Sequence, residues 1–243
     1  MTAAPVSSVP HVLTDVPLAI DPDEVVRFHG YKPGGDAAEA ATSLAAALGL
    51  GETLVTPRAV VGWHAVRARG DDALVLDDAV LTIPEIGRAW GPVTEVAAAV
   101  VTIGDAVERR VRALRDGGES APAAMLDSVG SGAVESLAEY VNDLLCQQGI
   151  ARGMNTTNRI SPGYGTWDLH EQPALLRLVS AETIGVRLDA AGLMTPRKSI
   201  TLLVGAGPAA RVDHYFSQCA RCWAEGCARR RVSARRTVRH RCS

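Results

Sequence analysis

Aromatic side chains make up only 4% of this 243-residue chain. A core must therefore be filled mainly by Ala, Val and Leu, and a hydrophobic fraction of 47% is enough to build one. Lysine is nearly missing: Lys32 and Lys198 are the two in the chain. The excess of Ala, Gly and Arg fits a GC-rich coding sequence better than any function. No apolar run reaches the ~20 residues that a membrane helix needs. The N-terminus, MTAAPVSSVPHVL, lacks a basic stretch followed by an apolar one, so no secretory signal is expected. The expectation is a cytoplasmic protein with no membrane or nucleic-acid partner and with reduced thiols.

An excess of charge is also missing on average, since the formal net charge is -2. The average hides an asymmetry. Seven arginines and no acids fall between Arg229 and Arg241, so the rest of the chain carries -9. An acidic body bears a basic tail, with three readings open: docking on an acidic partner, screening of the body, or a compositional accident of a GC-rich coding end.

Residues 1–36 are rich in Pro, Gly and Asp and read as an extended segment, with one strand near His11 to Ile20. Ala37 to Leu48 reads as a helix stopped by Gly49 and Gly51. Valine-rich runs between Pro57 and Ile83, broken by Gly70 and Asp71-Asp72, predict strands joined by turns. Val93 to Ile103 predicts another strand. After Gly104, Val107, Val111 and Leu114 share one helical face, and Gly117-Gly118 ends that helix. A longer helix is expected from about Pro122 to Gln148, with Val134, Leu137, Val141 and Leu144-Leu145 at helical period and Glu135 and Glu139 one turn apart on a neighbouring face. Cys146 on this helix reads as a small core residue. Pro162, Gly163 and Gly165 exclude a helix over NRISPGYGTWDL. A short helix from Gln172 to Val179 and a buried strand from Ser199 to Val204 complete the pattern. Helices and strands interleave without a regular β–α rhythm, which predicts an α+β fold. The expected division is an extended segment over 1–36, a domain over 37–210 and a Cys/Arg-rich tail over 211–243.

Three blocks carry chemistry. Arg159-Ile160-Ser161-Pro162-Gly163-Tyr164 resembles the R-x-x-x-G-Y motif of the activation domain of cobalamin-dependent methionine synthase. Upstream, AVESLAEYVNDLL resembles that family's helix with a glutamate touching S-adenosylmethionine, and Glu135 falls on that position. Downstream, Met194-Thr195-Pro196-Arg197-Lys198-Ser199 resembles its M-x-P-x-x-S segment. Three blocks in order over about residues 100–205 are more specific than one. The first 90 or so residues match less clearly, and the family's N-terminal aspartate contact is assigned to no residue.

The resemblance implies an activation-domain-like fold, with a mixed or antiparallel sheet and long helices, that binds S-adenosylmethionine through Glu135, Arg159, Ser161, Gly163 and Tyr164. The residue types suit that ligand. Arg159 offers a planar charged fork to a carboxylate. Glu135 offers negative charge to the ammonium or sulfonium. The Pro162-Gly163 bend lets backbone near Ser161 approach the adenine. Tyr164 offers a flat face with a polar end. The residues alone leave a plainer alternative, in which Arg159 pairs with a helix carboxylate such as Glu135 and SPGYG is a surface turn. The implied function is reactivation of a corrinoid-dependent methyltransferase. The chain presents the methyl group of S-adenosylmethionine to the reduced cobalamin of a partner, and an external donor supplies the electron. Asp168-Leu169-His170 opens like the cobalt-ligating D-x-H-x-x-G motif, but Pro173 replaces its glycine, so cobalamin is expected on a separate protein. Two other readings stay open: a non-catalytic corrinoid-protein interaction module and an electron-transfer accessory protein.

The last signal is Cys219-x2-Cys222-x4-Cys227. Three thiols in nine positions suggest a metal, with Cys242, His214 or an exogenous group as fourth ligand. Zinc would make a structural knuckle. An iron–sulfur cluster would make an electron relay, the favoured reading because the reaction needs a reductant. Unmetallated thiols on a frayed tail are the remaining alternative.

Overall fold

The computed structural model describes residues 9–14, 16–30 and 37–212. In chain order the elements are β1 (His11–Leu13), α1 (Pro22–His29), α2 (Ala37–Leu54), β2 (Arg58–Ala65), β3 (Ala68–Arg69), β4 (Ala73–Val75), β5 (Val80–Thr82) and α3 (Ile86–Trp90). There follow β6 (Glu95–Thr102), α4 (Ala106–Asp116), α5 (Ser120–Ala151), β7 (Asn155–Thr156), α6 (Gln172–Leu178), β8 (Arg187–Leu188), β9 (Met194–Thr195) and β10 (Ser199–Gly207). The main sheet has the order β1-β2-β6-β10-β7, and every pair in it is antiparallel. The α+β class expected from the sequence is the one observed, with an antiparallel sheet.

All eight residues of β6 are buried, because both faces of the sheet are covered. Ala97, Ala99 and Val101 point into a core shared with the long helices, whereas Val96, Ala98 and Val100 enter a second core with Trp90, Trp167 and α6. A strand buried on both sides reads as a continuous apolar run, which is why EVAAAVVT was legible as a strand. Helix α5 is the spine of the first core. Ala133, Leu137, Val141 and Leu145 recur every four residues and are fully or almost fully buried. The predicted face of α4, Val107, Val111 and Leu114, packs in the same core.

Two expectations are corrected. The segment read as extended contains helix α1, and the predicted His11 to Ile20 strand is only three residues long. The signals for α1 were local and readable. Asp21 caps it by accepting a hydrogen bond from the Asp23 amide at 2.9 Å, Pro22 opens it, acids fill its first turn, and Gly30 closes it at φ 74°. Val25 and β1 both join the main core or sheet, so the folded body takes in residues before position 37.

The second correction is that α2 runs on through Gly49 and Gly51 to Leu54. Gly51 serves packing rather than termination. A Cβ there would stand 2.4 Å from Cγ1 of Val129, so the glycine lets α2 lie against α5.

Candidate functional site

Between residues 17–24 and one face of α5 lies a cleft of about 400 Å³. Glu135, Ser136, Glu139, Tyr140 and Asp143 form its helical wall, on a single stripe of α5. Asp21 and Glu24 face them from the cap and first turn of α1. The Asp21 amide donates to Oγ of Ser136 at 3.4 Å, which ties the two walls together. Glu24 is paired with Arg27 of its own helix. The volume falls within the roughly 300–1,000 Å³ common for small-molecule sites. Five carboxylates around it make a field that favours cationic groups.

Arg159 arrives from the segment after β7. Its neighbour Ile160 is fixed to β10 by two backbone hydrogen bonds with Leu203, of 2.9 and 2.8 Å. Ser161 donates its hydroxyl to the Thr201 carbonyl. These anchors aim the guanidinium at α5, where Nη2 donates to Oε1 of Glu135 at 2.5 Å and to Oε1 of Glu139 at 2.9 Å. The Arg159 side chain is 7% exposed, that of Glu135 15% and that of Glu139 50%. Burial works against the guanidinium charge. The two carboxylates outweigh it, so Arg159 holds its proton more tightly than a free arginine.

The structure therefore brings Arg159 and Glu135 together, 24 residues apart in sequence. Glu135 is on the cleft wall, and Arg159 is not among the lining residues. Ser161, Gly163 and Tyr164 do not line this cleft. Ser161 is buried by its bond to β10; Gly163, at φ 84°, accommodates the bend closed by the Gly163 amide on the Trp167 carbonyl at 2.8 Å; Tyr164 is exposed. The plainer alternative for Arg159, a pair with a helix carboxylate, is thus realised alongside a cavity.

Sequence reasoning missed Asp21, Glu139, Tyr140 and Asp143 as members of the site. Glu139 and Asp143 repeat the Glu135 position at one and two turns, and Asp21-Pro22 is a helix-start pair, so both signals were present. The M-x-P-x-x-S block serves the architecture. Ser199 Oγ lies 2.8 Å from the Pro196 carbonyl and 2.9 Å from Oγ1 of Thr102, pinning the start of β10 to the end of β6. Asp168 caps a short 3-10 turn and accepts from both the backbone and the ring Nδ1 of His170, bonds that hold its carboxyl below the usual range. His170 itself is exposed. Cys146 is half-buried, and burial pushes its thiol up. Cys219, Cys222 and Cys227, with Cys242 and His214, lie outside the described residues. Among the described residues no group of three or more His, Cys, Asp or Glu side chains is arranged to hold a metal ion. None of the described helices is long and apolar enough to cross a membrane.

No family model matches the chain, and no curated protein matches it. Among solved structures it is similar to the crystal structure of the MetH reactivation domain bound to AdoHcy, with a TM-score of 0.61 and 15% identity. The likeness covers 88% of this chain and 82% of that one. What it establishes is the fold: the α+β arrangement of antiparallel sheet and long helices is that of the MetH reactivation domain.

Proposed function

We propose that the chain binds S-adenosylmethionine in the acidic cleft and presents its methyl group to the reduced cobalamin of a partner corrinoid protein, reactivating a methyltransferase of the methionine synthase type. The observation that carries this reading is the pairing of Arg159 with Glu135, a wall residue of a cleft of about 400 Å³, in a fold whose solved counterpart was crystallised with AdoHcy. The acidic walls suit a ligand bearing an ammonium and a sulfonium. Asp21 and Glu135 both line the cleft, and in this reading they hold the cationic end. Arg159 is the group for the carboxylate. Ser161, Gly163 and Tyr164 lie off the lining of this cleft and enter the proposal as the neighbouring segment toward which the adenine extends.

The chain's part is orientation. An external donor gives one electron to the partner's cobalt. The methyl group then leaves sulfur for cobalt, the S–CH₃ bond breaks, and S-adenosylhomocysteine remains in the cleft. No proton moves, so no general acid or base is needed. Cys219, Cys222 and Cys227 are proposed as ligands of an iron–sulfur cluster or zinc, although no step above needs a metal on this chain. The absorption spectrum of anaerobically purified protein tests that part. A band near ~400 nm signals thiolate-ligated iron, and its absence leaves zinc or bare thiols.

Calorimetry with S-adenosylmethionine tests the main proposal: wild type binds, and Glu135→Ala weakens binding. No binding by the intact wild-type chain would overturn it. It would favour a non-catalytic corrinoid-protein interaction module, for which the already paired state of Arg159 speaks. If binding holds, mixing with reductant and a cob(II)alamin-loaded partner gives the methylcobalamin spectrum only when S-adenosylmethionine is present.

A further inference from the structure

Glu135 and Glu139 are not equivalent partners of Arg159. Glu135 is nearly buried and Glu139 is half-exposed, yet both contact the same guanidinium nitrogen and both stand on the cleft wall. Arg159 does not line the cleft itself, so a carboxylate arriving there reaches a cation already held by two wall carboxylates. Glu135 has little room to leave. Glu139 has solvent beside it, and when it leaves, Arg159 still keeps Glu135 as its counter-charge. It is the partner that can swing away at small cost.

Resting on the proposed binding of S-adenosylmethionine, we infer that Glu139 is a built-in competitor for the ligand's carboxylate: a side-chain latch that holds Arg159 in the empty cleft and must be displaced on binding. The arrangement has two consequences. An empty cleft keeps its buried guanidinium paired, and so avoids the penalty of an uncompensated charge. Ligand affinity is lowered by the fraction of time the latch is closed, so the ligand dissociates more readily than one seated on a free arginine. Glu139 is thus a positioning residue, acting through Arg159.

The latch makes an unusual prediction. Removing a carboxylate from a cleft that binds a cation should weaken binding through the lost attraction. Removing Glu139 should instead tighten it. Glu139→Gln is expected to bind S-adenosylmethionine on the order of tenfold more tightly than wild type by calorimetry. Glu139→Asp keeps the charge on the wall but is one methylene shorter, and is expected to shift affinity in the same direction. Decarboxylated S-adenosylmethionine, which retains the ammonium and sulfonium but has nothing to offer Arg159, should gain nothing from either substitution. Unchanged or weaker binding of S-adenosylmethionine by both variants, with wild-type circular dichroism, overturns the latch while leaving the binding proposal intact. Equal tightening of both ligands also overturns it. If wild type and both variants bind neither ligand, the binding proposal falls and the latch with it.

Discussion

Two basic side chains cross from the C-terminal half of the chain to the same helix, and they do different things there. Lys198 reaches α5 near its start, where Nζ lies 3.0 Å from Oδ1 of Asp127 and 2.8 Å from Oγ of Ser131, while its backbone amide donates to Glu108 of α4 at 3.0 Å. Arg159 reaches α5 farther along and meets two carboxylates. Each pairing joins a segment flanking β10 to the helical layer. Only the second opens onto the cleft. An ion pair in a sequence, or even in a fold, therefore does not mark a binding site. A cavity beside it is what makes the Arg159 pair the candidate.

The sharpest way to break this comparison is Arg159→Ala. It leaves Glu135 and Glu139 facing each other in a partly buried place, at a cost of about 3 kcal/mol in chemical denaturation. It should also weaken S-adenosylmethionine binding at least about thirtyfold. Arg159→Lys restores the charge but not the planar fork, and should recover stability more than affinity. If Arg159→Ala binds like wild type, the two cations are the same kind of brace.

Gly132→Ala comes next. Its Cβ would stand 2.8 Å from Cγ2 of Val25, a fully buried residue, so α1 must move off α5. The expected cost is about 1–3 kcal/mol. Because Asp21 and Glu24 ride on α1, ligand affinity should fall as well. An equal loss of stability with unchanged affinity would show that the α1 wall contributes nothing to binding. Lys198→Met should cost only about 1 kcal/mol, since Asp127 is 45% exposed, and should leave ligand binding untouched. Loss of binding in that variant would erase the distinction between brace and site.

The smallest effect concerns the other face of the sheet. His64 on β2 is buried, its Nε2 has no hydrogen-bond partner, and burial lowers its pKa below 6.5 despite Asp78 and Asp77. Its neutral form is the one that suits the fold. The unfolded chain takes up the proton first as pH falls below 6.5, so stability declines from there down through the folded-state value. Thermal melts of wild type and His64→Leu over that range should diverge, with the variant less sensitive to pH. Ligand affinity should not follow the same titration, because His64 is separated from the cleft by the sheet.

Much of the fold could be read from periodicity. The faces of α4 and α5, the buried run of β6 and the Pro/Gly-rich bend after Arg159 were set by local pattern. What failed were punctuation marks. Gly49 and Gly51 looked like stops because sequence cannot distinguish a glycine that ends a helix from one that admits a neighbouring valine. Asp21-Pro22 and Gly30 were true helix signals inside a stretch whose composition suggested an extended chain. In the site, Arg159 and Glu135 were singled out together, yet the neighbours that complete the cleft were not, because α1 had to be in place before its wall existed.

Alone, the sequence determined which segments could bury an apolar face and which could not, and it supplied the charged residue types in motif order. Tertiary structure decided which charges meet. The guanidinium of Arg159 and the carboxylates of Glu135 and Glu139 belong to segments held together by the pairing of β10 with β6 and the packing of α5 on the sheet. Side-chain periodicity is local, whereas an ion pair beside a cleft requires two distant backbones fixed within a few ångströms, and only the packed core does that.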